Sequence, residues 1–488
     1  MAKTHKMSNL QKFSLNNLNE VVAQVEGWIS TYFLPPFDGS GGIGGPIATY
    51  WASSPYIAGP YVMNSYGIIR GLCARAGDEN ASKARMRAET LALYYLRCQD
   101  PTTGRFICSW GEDPFTGHGL VQEASVVAAL WDLHSLWPDK DLEKAAKLGW
   151  KACLTDSALQ NIWQVNNQAL RCCEALILGV QARGDSRPNH EEKALLERVG
   201  RQVAESQWGE DSPIKGAISQ ALTTDDVILP YQGKCLNPLV MMAEALGQPQ
   251  FLEIARRLAD FIVRNLKSAD IFLISGQHLA EGEELLKARR IYRLRRVFHF
   301  CEFRLRKYRK EKTGKWPYSP WPKWIARGLD TARGLFHLGQ ALGEEIYIRA
   351  SLEMVRESLT YQTPLGGLRN TLGFWGEDPE RKGGLAWQDA AAIPRWNSYA
   401  IQFLHELASG TPVLPPRVPD HNQGDEIELA NGLRLIENAK ELRLVTLKNE
   451  TLWQLCKGHR WGRPFRQVAK WNEGGIVTGR TVAANDSL

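Results

Sequence analysis

Trp110-Gly111-Glu112-Asp113-Pro114, followed by Gly119-Leu120-Val121-Gln122-Glu123-Ala124-Ser125 and a long apolar run, is the stretch whose reading decides the fold. It returns 265 residues later: Trp375 to Pro379 repeats Trp110 to Pro114 letter for letter. Gly384-Leu385-Ala386-Trp387-Gln388-Asp389-Ala390 then answers Gly119 to Ala124 with one inserted residue, and Trp208-Gly209-Glu210-Asp211 is a weaker third copy. Self-similarity at this distance points to one supersecondary unit used several times.

Working outward from it, two kinds of helix alternate. One is apolar nearly all round, as in Leu120, Val121, Ala124, Val126, Val127, Leu130, Trp131 and Leu133, and must be buried on every side. The other is amphipathic: Phe251, Leu252, Ile254, Ala255, Leu258, Ala259, Ile262 and Val263 are opposed by Glu253, Arg256, Arg257, Asp260 and Arg264. Amphipathic helices are predicted near 16–33, 81–98, 140–154, 189–206, 249–267 and 345–361. Apolar ones are predicted near 60–75, 119–136, 165–182, 232–246, 328–342 and 388–408. Links such as Gly184-Asp185, Gly247-Gln248-Pro249 and Gly343-Glu344 supply a glycine to end one helix and a polar residue to start the next. Alternating strands are predicted only beyond the Pro-rich Thr411 to Pro419, at Glu426 to Leu429, Leu433 to Ile436 and Leu442 to Val445.

Composition narrows the setting. The 488 residues are 44% hydrophobic and 23% charged, which is ordinary for a globular protein. The nine cysteines include no C-x-x-C pair, and the ten histidines show no ligand spacing, so a reducing compartment and no metal or other cofactor are expected. Met1 to Lys6 leads into polar sequence rather than an apolar signal region, and no window of eighteen residues is apolar enough to span a bilayer, so a cytoplasmic location is expected. The net charge of +6 is local: twelve Lys or Arg stand between Lys287 and Lys312 against Glu302 and Glu311, which leaves −4 for the rest. With its interleaved aromatics, 285–312 reads as a solvated helix, a peripheral dock for an anionic membrane surface, or a holder of a polyanionic chain. No nucleic-acid-binding fold accompanies it.

Six alternating pairs resemble the six-hairpin α/α toroid of carbohydrate-active glycosidases and lyases and, more weakly, of class II terpenoid cyclases. The resemblance implies an all-α (α/α)6 toroid over 1–409 with a basic insertion at about 270–326, a Pro-rich linker at 410–426, and a small β or α+β region over 427–488. In such a ring all inner-helix N-termini open on one face, whose unpaired N–H groups suit anionic or hydroxyl-rich ligands. The inner-helix starts gather Tyr61, Asn64, His118, Glu123, Asn167, Asp226, Tyr231, Arg327, Asp330, Arg333, Trp387 and Asp389, with Trp110 and Trp375 on the repeated loops. Each acid has a plain alternative as a helix cap, and each Asp-Pro loop as turn chemistry.

Together they point to cleavage of a glycosidic bond in an acidic, uronate-containing oligosaccharide or polysaccharide. Glu123 and Asp389 would be the acid and base, Asp226 a substitute for either, and Tyr231, Tyr61 and His118 would assist. Arg327, Arg333 and Asn167 would hold the carboxylate, while Tyr61, Asn64, Asp330 and the tryptophans Trp110, Trp375 and Trp387 would contact the sugars. Asn166-Asn167-Gln168 resembles the uronate-neutralising Asn of toroid lyases, with Gln168 where those carry His. Thr223-Thr224-Asp225-Asp226 resembles the D-x-D-D acid of the cyclases without its first Asp, so a terpenoid cyclase using Asp225 or Asp226 is one alternative, and a non-catalytic binding scaffold another.

Overall fold

Leu120–Leu136 and its neighbours illustrate how the chain sorts itself: helices that are apolar on all sides go inside, those with one apolar stripe go outside. The computed structural model describes residues 17–32, 49–51, 54–58, 66–77, 81–106, 119–212, 214–224, 227, 229–265, 323–372, 392–420, 422–428, 433–456, 465–472 and 475–483. Twelve long helices appear among them: α1 Leu18–Ser30, α2 Tyr66–Ala74, α3 Ala81–Cys98, α4 Leu120–Leu136, α5 Lys140–Thr155, α6 Asn166–Ala182, α7 His190–Glu205, α8 Leu229–Leu246, α9 Gln250–Asn265, α10 Leu329–Leu342, α11 Glu345–Leu359 and α12 Pro394–Leu407. The even-numbered helices touch in the order α2, α4, α6, α8, α10, α12 and back to α2, so the inner ring closes. The odd-numbered helices pack around it, and the protein is an (α/α)6 toroid.

Local chemistry sets the helix ends. Asp139 caps α5 by accepting from the N–H groups of Asp141 and Leu142, and Asn189 with Glu192 forms a capping box on α7. Gly343, at φ 72°, stops α10 in the left-handed conformation a side chain resists. Ring closure needs glycine too. A Cβ on Gly67 of α2 would fall 2.0 Å from the Ser398 carbonyl oxygen of α12, and one on Gly233 of α8 would fall 2.0 Å from Thr331 Oγ1 of α10.

Among the described residues the strands fall into three sheets. In the loop between α1 and α2, β1 (Thr49–Trp51) pairs with β2 (Ser54–Ala58); β3 (Lys323–Trp324) pairs with β4 (Thr371–Leu372). After α12 come β5 (Gly424–Glu428), β6 (Leu433–Asn438), β7 (Glu441–Thr446) and β8 (Thr451–Cys456), an antiparallel meander. It is fastened to α1, since Trp28 Nε1 and Tyr32 OH both donate to Glu437 Oε1, at 3.0 and 2.6 Å. The Pro-rich stretch lies on α1 as well, with Arg417 N donating to Ala23 O at 2.9 Å. The last hairpin, β9 (Phe465–Asn472) and β10 (Gly475–Ala483), pairs with β2 and not with the meander. Among the described residues, no helix is long and apolar enough to cross a membrane. The basic stretch 285–312 lies outside the described residues.

Candidate functional site

The two ends of the ring differ in their connections. Chain returning from inner to outer helices does so briefly, at 75–80, 137–139, 183–189, 247–249 and 343–344. Outer-to-inner segments run over 31–65, 99–119, 156–165, 206–228, 266–328 and 360–393, and all of them arrive at the inner-helix N-termini. Long loops on a rigid frame are where binding groups are placed, so this mouth is the candidate site.

Below it the lumen is charged rather than oily. Arg70 of α2 bonds Asp132 of α4 at 2.6 Å and Glu174 of α6 at 2.8 Å; Arg171 bonds Glu174; Arg333 of α10 bonds Glu406 of α12 at 2.8 Å and lies 3.6 Å from Glu174. Burial alone would raise the Glu174 carboxyl, but Arg171, Arg70 and Arg333 outweigh it and hold it far below the usual carboxylate range. Glu406 is likewise brought down to about 2, burial being overcome by Arg333 and His337. At the far end, helix C-termini and the Arg70–Asp132 and Arg333–Glu406 pairs line a cavity of about 280 Å³.

At the mouth the balance changes. Lys234 and Arg171 each lie 3.7 Å from Asp330, which sits in the first turn of α10. The Arg327 guanidinium carbon lies 4.0 Å from the Trp324 ring centre, 4.3 Å from Trp396 and 5.1 Å from Tyr231. No carboxylate pairs with Arg327 among the described residues. Arg395 stacks on Trp396 at 4.8 Å, and Lys234 stands 4.6 Å from the Tyr399 ring centre. Tyr399 in turn lies against Trp396, with ring centres 5.7 Å apart, and edge-on to Tyr66 at 5.2 Å. Arg327 pulls the Tyr231 phenol below its ordinary value, helped by Lys234 and Arg395 against burial. Trp396 Nε1, Asp330 Oδ2 and Arg327 Nε are buried without a hydrogen-bond partner among the described residues. A buried orphan costs roughly 1–3 kcal/mol, and three at one place mark where a polar ligand or ordered water belongs.

Glu123 sits elsewhere. Its Oε1 accepts from Arg105 Nε at 3.1 Å and its Oε2 from Phe106 N at 3.1 Å, both on the segment leading in from α3. The same bond recurs two and four inner helices on. Gln232 of α8 accepts from Ile218 N and donates to Ile218 O, each at 2.8 Å. Asn397 of α12 accepts from Leu368 N at 2.8 Å and donates to Leu368 O at 2.9 Å. Each clamped segment opens on a Gln bonded to a left-handed glycine's carbonyl: Gln99 to Gly104, Gln207 to Gly216 and Gln362 to Gly366, at 3.0, 3.0 and 2.9 Å. Glu123 is thus the acidic member of a threefold set of loop clamps. Burial pushes its carboxyl up to about 7, against the pull of Phe106 N–H and Arg105. Its counterpart in the sixth hairpin is Asn397, not Asp389, because α12 starts at Pro394 rather than near 388.

Of the residues singled out in the sequence, Tyr231, Arg327 and Asp330 come together at the mouth, and Asn167 is buried in the first turn of α6. Arg333 is turned to the far end by Glu406 and Glu174, apart from Arg327. Tyr61, Asn64, Trp110, His118, Asp226, Trp375, Trp387 and Asp389 lie outside the described residues. Gln168 accepts from Val121 N at 3.1 Å and so ties α6 to the start of α4. The third Trp-Gly-Glu-Asp copy is a turn: Trp208 exchanges backbone bonds with Ala217 and Gly216, and Glu210 pairs with Lys215 on the surface. Tyr66 and Lys234, also at inner-helix starts, join the cluster, whereas Trp396 and Tyr399 belong to it and carried no motif. Among the described residues, no three His, Cys, Asp or Glu side chains are placed to hold a metal ion.

No protein-family model matches the chain, and no curated protein matches its sequence. Solved structures do match its fold. A sugar epimerase from a ruminal bacterium superposes with a TM-score of 0.53 at 12% identity, over 81% of this chain and 100% of that one. Cellobiose 2-epimerases from Spirochaeta thermophila and Bacillus thermoamylovorans give 0.52 and 0.51 at 13% and 12% identity, over 83% and 79% of this chain and 98% of each of theirs. The shared (α/α)6 toroid therefore spans the whole of those enzymes.

Proposed function

We propose that the protein is a carbohydrate-active enzyme that cleaves a glycosidic bond in an acidic, uronate-containing oligosaccharide or polysaccharide at the N-terminal mouth of the ring. The observation that carries this reading is Arg327: a half-buried cation framed by Trp324, Trp396 and Tyr231, with no carboxylate partner among the described residues. A sugar carboxylate would supply the partner, and the flat rings would take the sugar faces. The toroid partners that superpose on the chain are sugar enzymes by name. A lumen crossed by Arg70, Glu174, Arg333 and Glu406 favours a hydroxyl-rich ligand over the isoprenoid of a cyclase, which wants a bare aromatic cavity.

In this reading Asp330 and Lys234 orient the sugar, Asp389 and Asp226 on the incoming segments supply the acid and base, and Tyr231 and His118 assist proton transfer. Tyr61, Asn64, Asn167, Trp110, Trp375 and Trp387 extend the binding surface. Glu123 is assigned to the scaffold and Arg333 to the lumen. The chain leaves α9 at Asn265 and returns at Lys323, both on the mouth side, so the basic stretch between them would draw a polyanionic substrate toward the site, with a membrane surface as its other candidate partner. The setting we propose is the cytoplasm.

Arg327→Met tests the reading. One charge-assisted bond to a carboxylate is worth roughly 1.5–3 kcal/mol, so kcat/KM on a uronate oligosaccharide should fall about 10- to 150-fold. Activity of both forms on the carboxyl-reduced, neutral analogue should differ little. Equal losses on both substrates, or none on either, would contradict the assignment.

A further inference from the structure

The cavity at the far end of the ring takes no part in the chemistry of the mouth. Four inner helices bring their last turns to it: α2 with Cys73 and Ala74, α4 with Ser135 and Leu136, α6 with Leu178 and Gln181, and α12 with Glu406; α10 adds Arg333. The inner helices that turn unpaired N–H groups to the mouth turn their unpaired carbonyls, and the negative half of each dipole, to this end.

Arg70 and Arg333 line the cavity at 5% and 6% exposure, and each guanidinium is only partly engaged. Arg70 Nε and Nη1 donate to Asp132 and Glu174; Arg333 Nε donates to both oxygens of Glu406, and its Nη1 lies 3.6 Å from Glu174. The remaining nitrogen of each, Nη2, makes no hydrogen bond among the described residues. Asp132, which also lines the cavity, receives Arg70 on Oδ2 and nothing among the described residues on Oδ1. Burial pushes the Asp132 carboxyl above its ordinary value in spite of Arg70, as befits a carboxylate short of partners. Trp131, half-buried Leu178 and exposed Leu136 give the same cavity an apolar wall.

Charge balance selects what fits. Arg70, Arg171 and Arg333 already meet Asp132, Glu174 and Glu406, with the His337 ring 3.2 Å from Glu406. A simple anion would suit the two open N–H corners but would face Asp132 and the helix carbonyls. A simple cation would face both guanidiniums. A ligand of zero net charge that carries both signs leaves no charge unpaired. We propose that this cavity is a second binding site, for an α-amino acid with an apolar side chain: its carboxylate on Arg70 and Arg333, its ammonium on Asp132 and the helix carbonyls, its side chain against Trp131 and Leu178. A volume of about 280 Å³ suits one such molecule, being at the lower end of the roughly 300–1,000 Å³ of small-molecule sites. A monosaccharide is as small, but it brings neutral hydroxyls where charge-assisted bonds are on offer, and these are about twice as strong. The site is independent of saccharide cleavage at the mouth.

Calorimetric titration of the full chain with L-leucine and L-phenylalanine tests it. At least one of the two should bind, at one site per chain. The matching amide, without the carboxylate, and the matching deamino acid, without the ammonium, should each bind about 10- to 150-fold more weakly, the worth of one charge-assisted bond. Ser135→Trp places a large ring at an exposed position on the cavity and touches none of the ion pairs; it should abolish binding and leave the melting temperature unchanged. Asp132→Asn keeps an oxygen for Arg70 and should weaken the amino acid at least tenfold while leaving the deamino acid within about twofold. No binding of either amino acid at millimolar concentration, binding that survives Ser135→Trp, equal binding of the amide and deamino forms, or D-glucose bound in place of the amino acids would overturn the inference. Failure of the protein to cleave any glycoside would overturn the reading of the mouth and leave this site standing.

Discussion

Replacing Glu123 by Gln separates a scaffold from a catalytic role, because Gln already performs the same task at position 232. The native carboxyl is raised from 4.5 to about 7 by burial. A group whose folded pKa lies above its unfolded one binds its proton more tightly in the native state, so its contribution is fully present below about pH 4.5 and is lost as pH rises through 7. At 1.36 kcal/mol per unit, the loss is roughly 3 kcal/mol by pH 8. Glu123→Gln mimics the protonated acid at every pH. It should therefore melt like the wild type at pH 4 and above it at pH 8. With about 2.1 cal/mol/K per residue of unfolding entropy over the whole chain, the gap at pH 8 is about 3 °C. Calorimetric melting at the two pH values reads it directly, and cleavage of a uronate oligosaccharide by the variant should stay within about twofold of wild type. Unchanged melting at both pH values with turnover down a hundredfold or more would return Glu123 to the chemistry and refute the clamp.

Other parts of the structure give independent tests. Glu406, held at about 2 by Arg333 and His337, lies below its unfolded value, so its contribution is present above pH 4.5 and disappears as pH falls toward 2; Glu406→Gln should cost about 3 kcal/mol at pH 7 by urea titration and converge on wild type in acid. Gly233→Ala drives a methyl into Thr331, and a loss of about 1–3 kcal/mol is expected from overpacking, whereas Gly247→Ala, with nothing within 4 Å of the added carbon, should cost only the strain of its left-handed backbone. Glu437→Ala removes the acceptor shared by Trp28 and Tyr32; proteolysis within 424–456 should accelerate by at least tenfold, since about 1.5–3 kcal/mol of anchoring is lost.

The ring itself was legible because burial writes a simple code: helices apolar on all sides alternate with helices apolar on one, and the ranges read for α4, α5, α10 and α11 fall within two residues of those observed. The mouth was partly legible, since the rule that inner-helix starts collect polar groups brings Tyr231, Arg327 and Asp330 together. The charged lumen was not, because Arg70, Glu174, Arg333 and Glu406 each look like a lone charge in an apolar helix, and only the closed ring shows that they neutralise one another. The clamps escaped notice for a different reason. Phe106 precedes Glu123 by 17 residues, Ile218 precedes Gln232 by 14 and Leu368 precedes Asn397 by 29, so no fixed spacing links them. Reading the sixth inner helix from 388 rather than Pro394 placed the emphasis on Asp389 and hid Trp396 and Tyr399, which lie in its first two turns.

An experimental structure of the protein with a uronate oligosaccharide bound tests the account most directly. The account predicts the sugar carboxylate in bidentate contact with Arg327, with sugar faces on Trp324 and Trp396. A saccharide seated in the cavity at the opposite end of the lumen, or an Arg327 guanidinium already paired with a carboxylate of the chain, would contradict it.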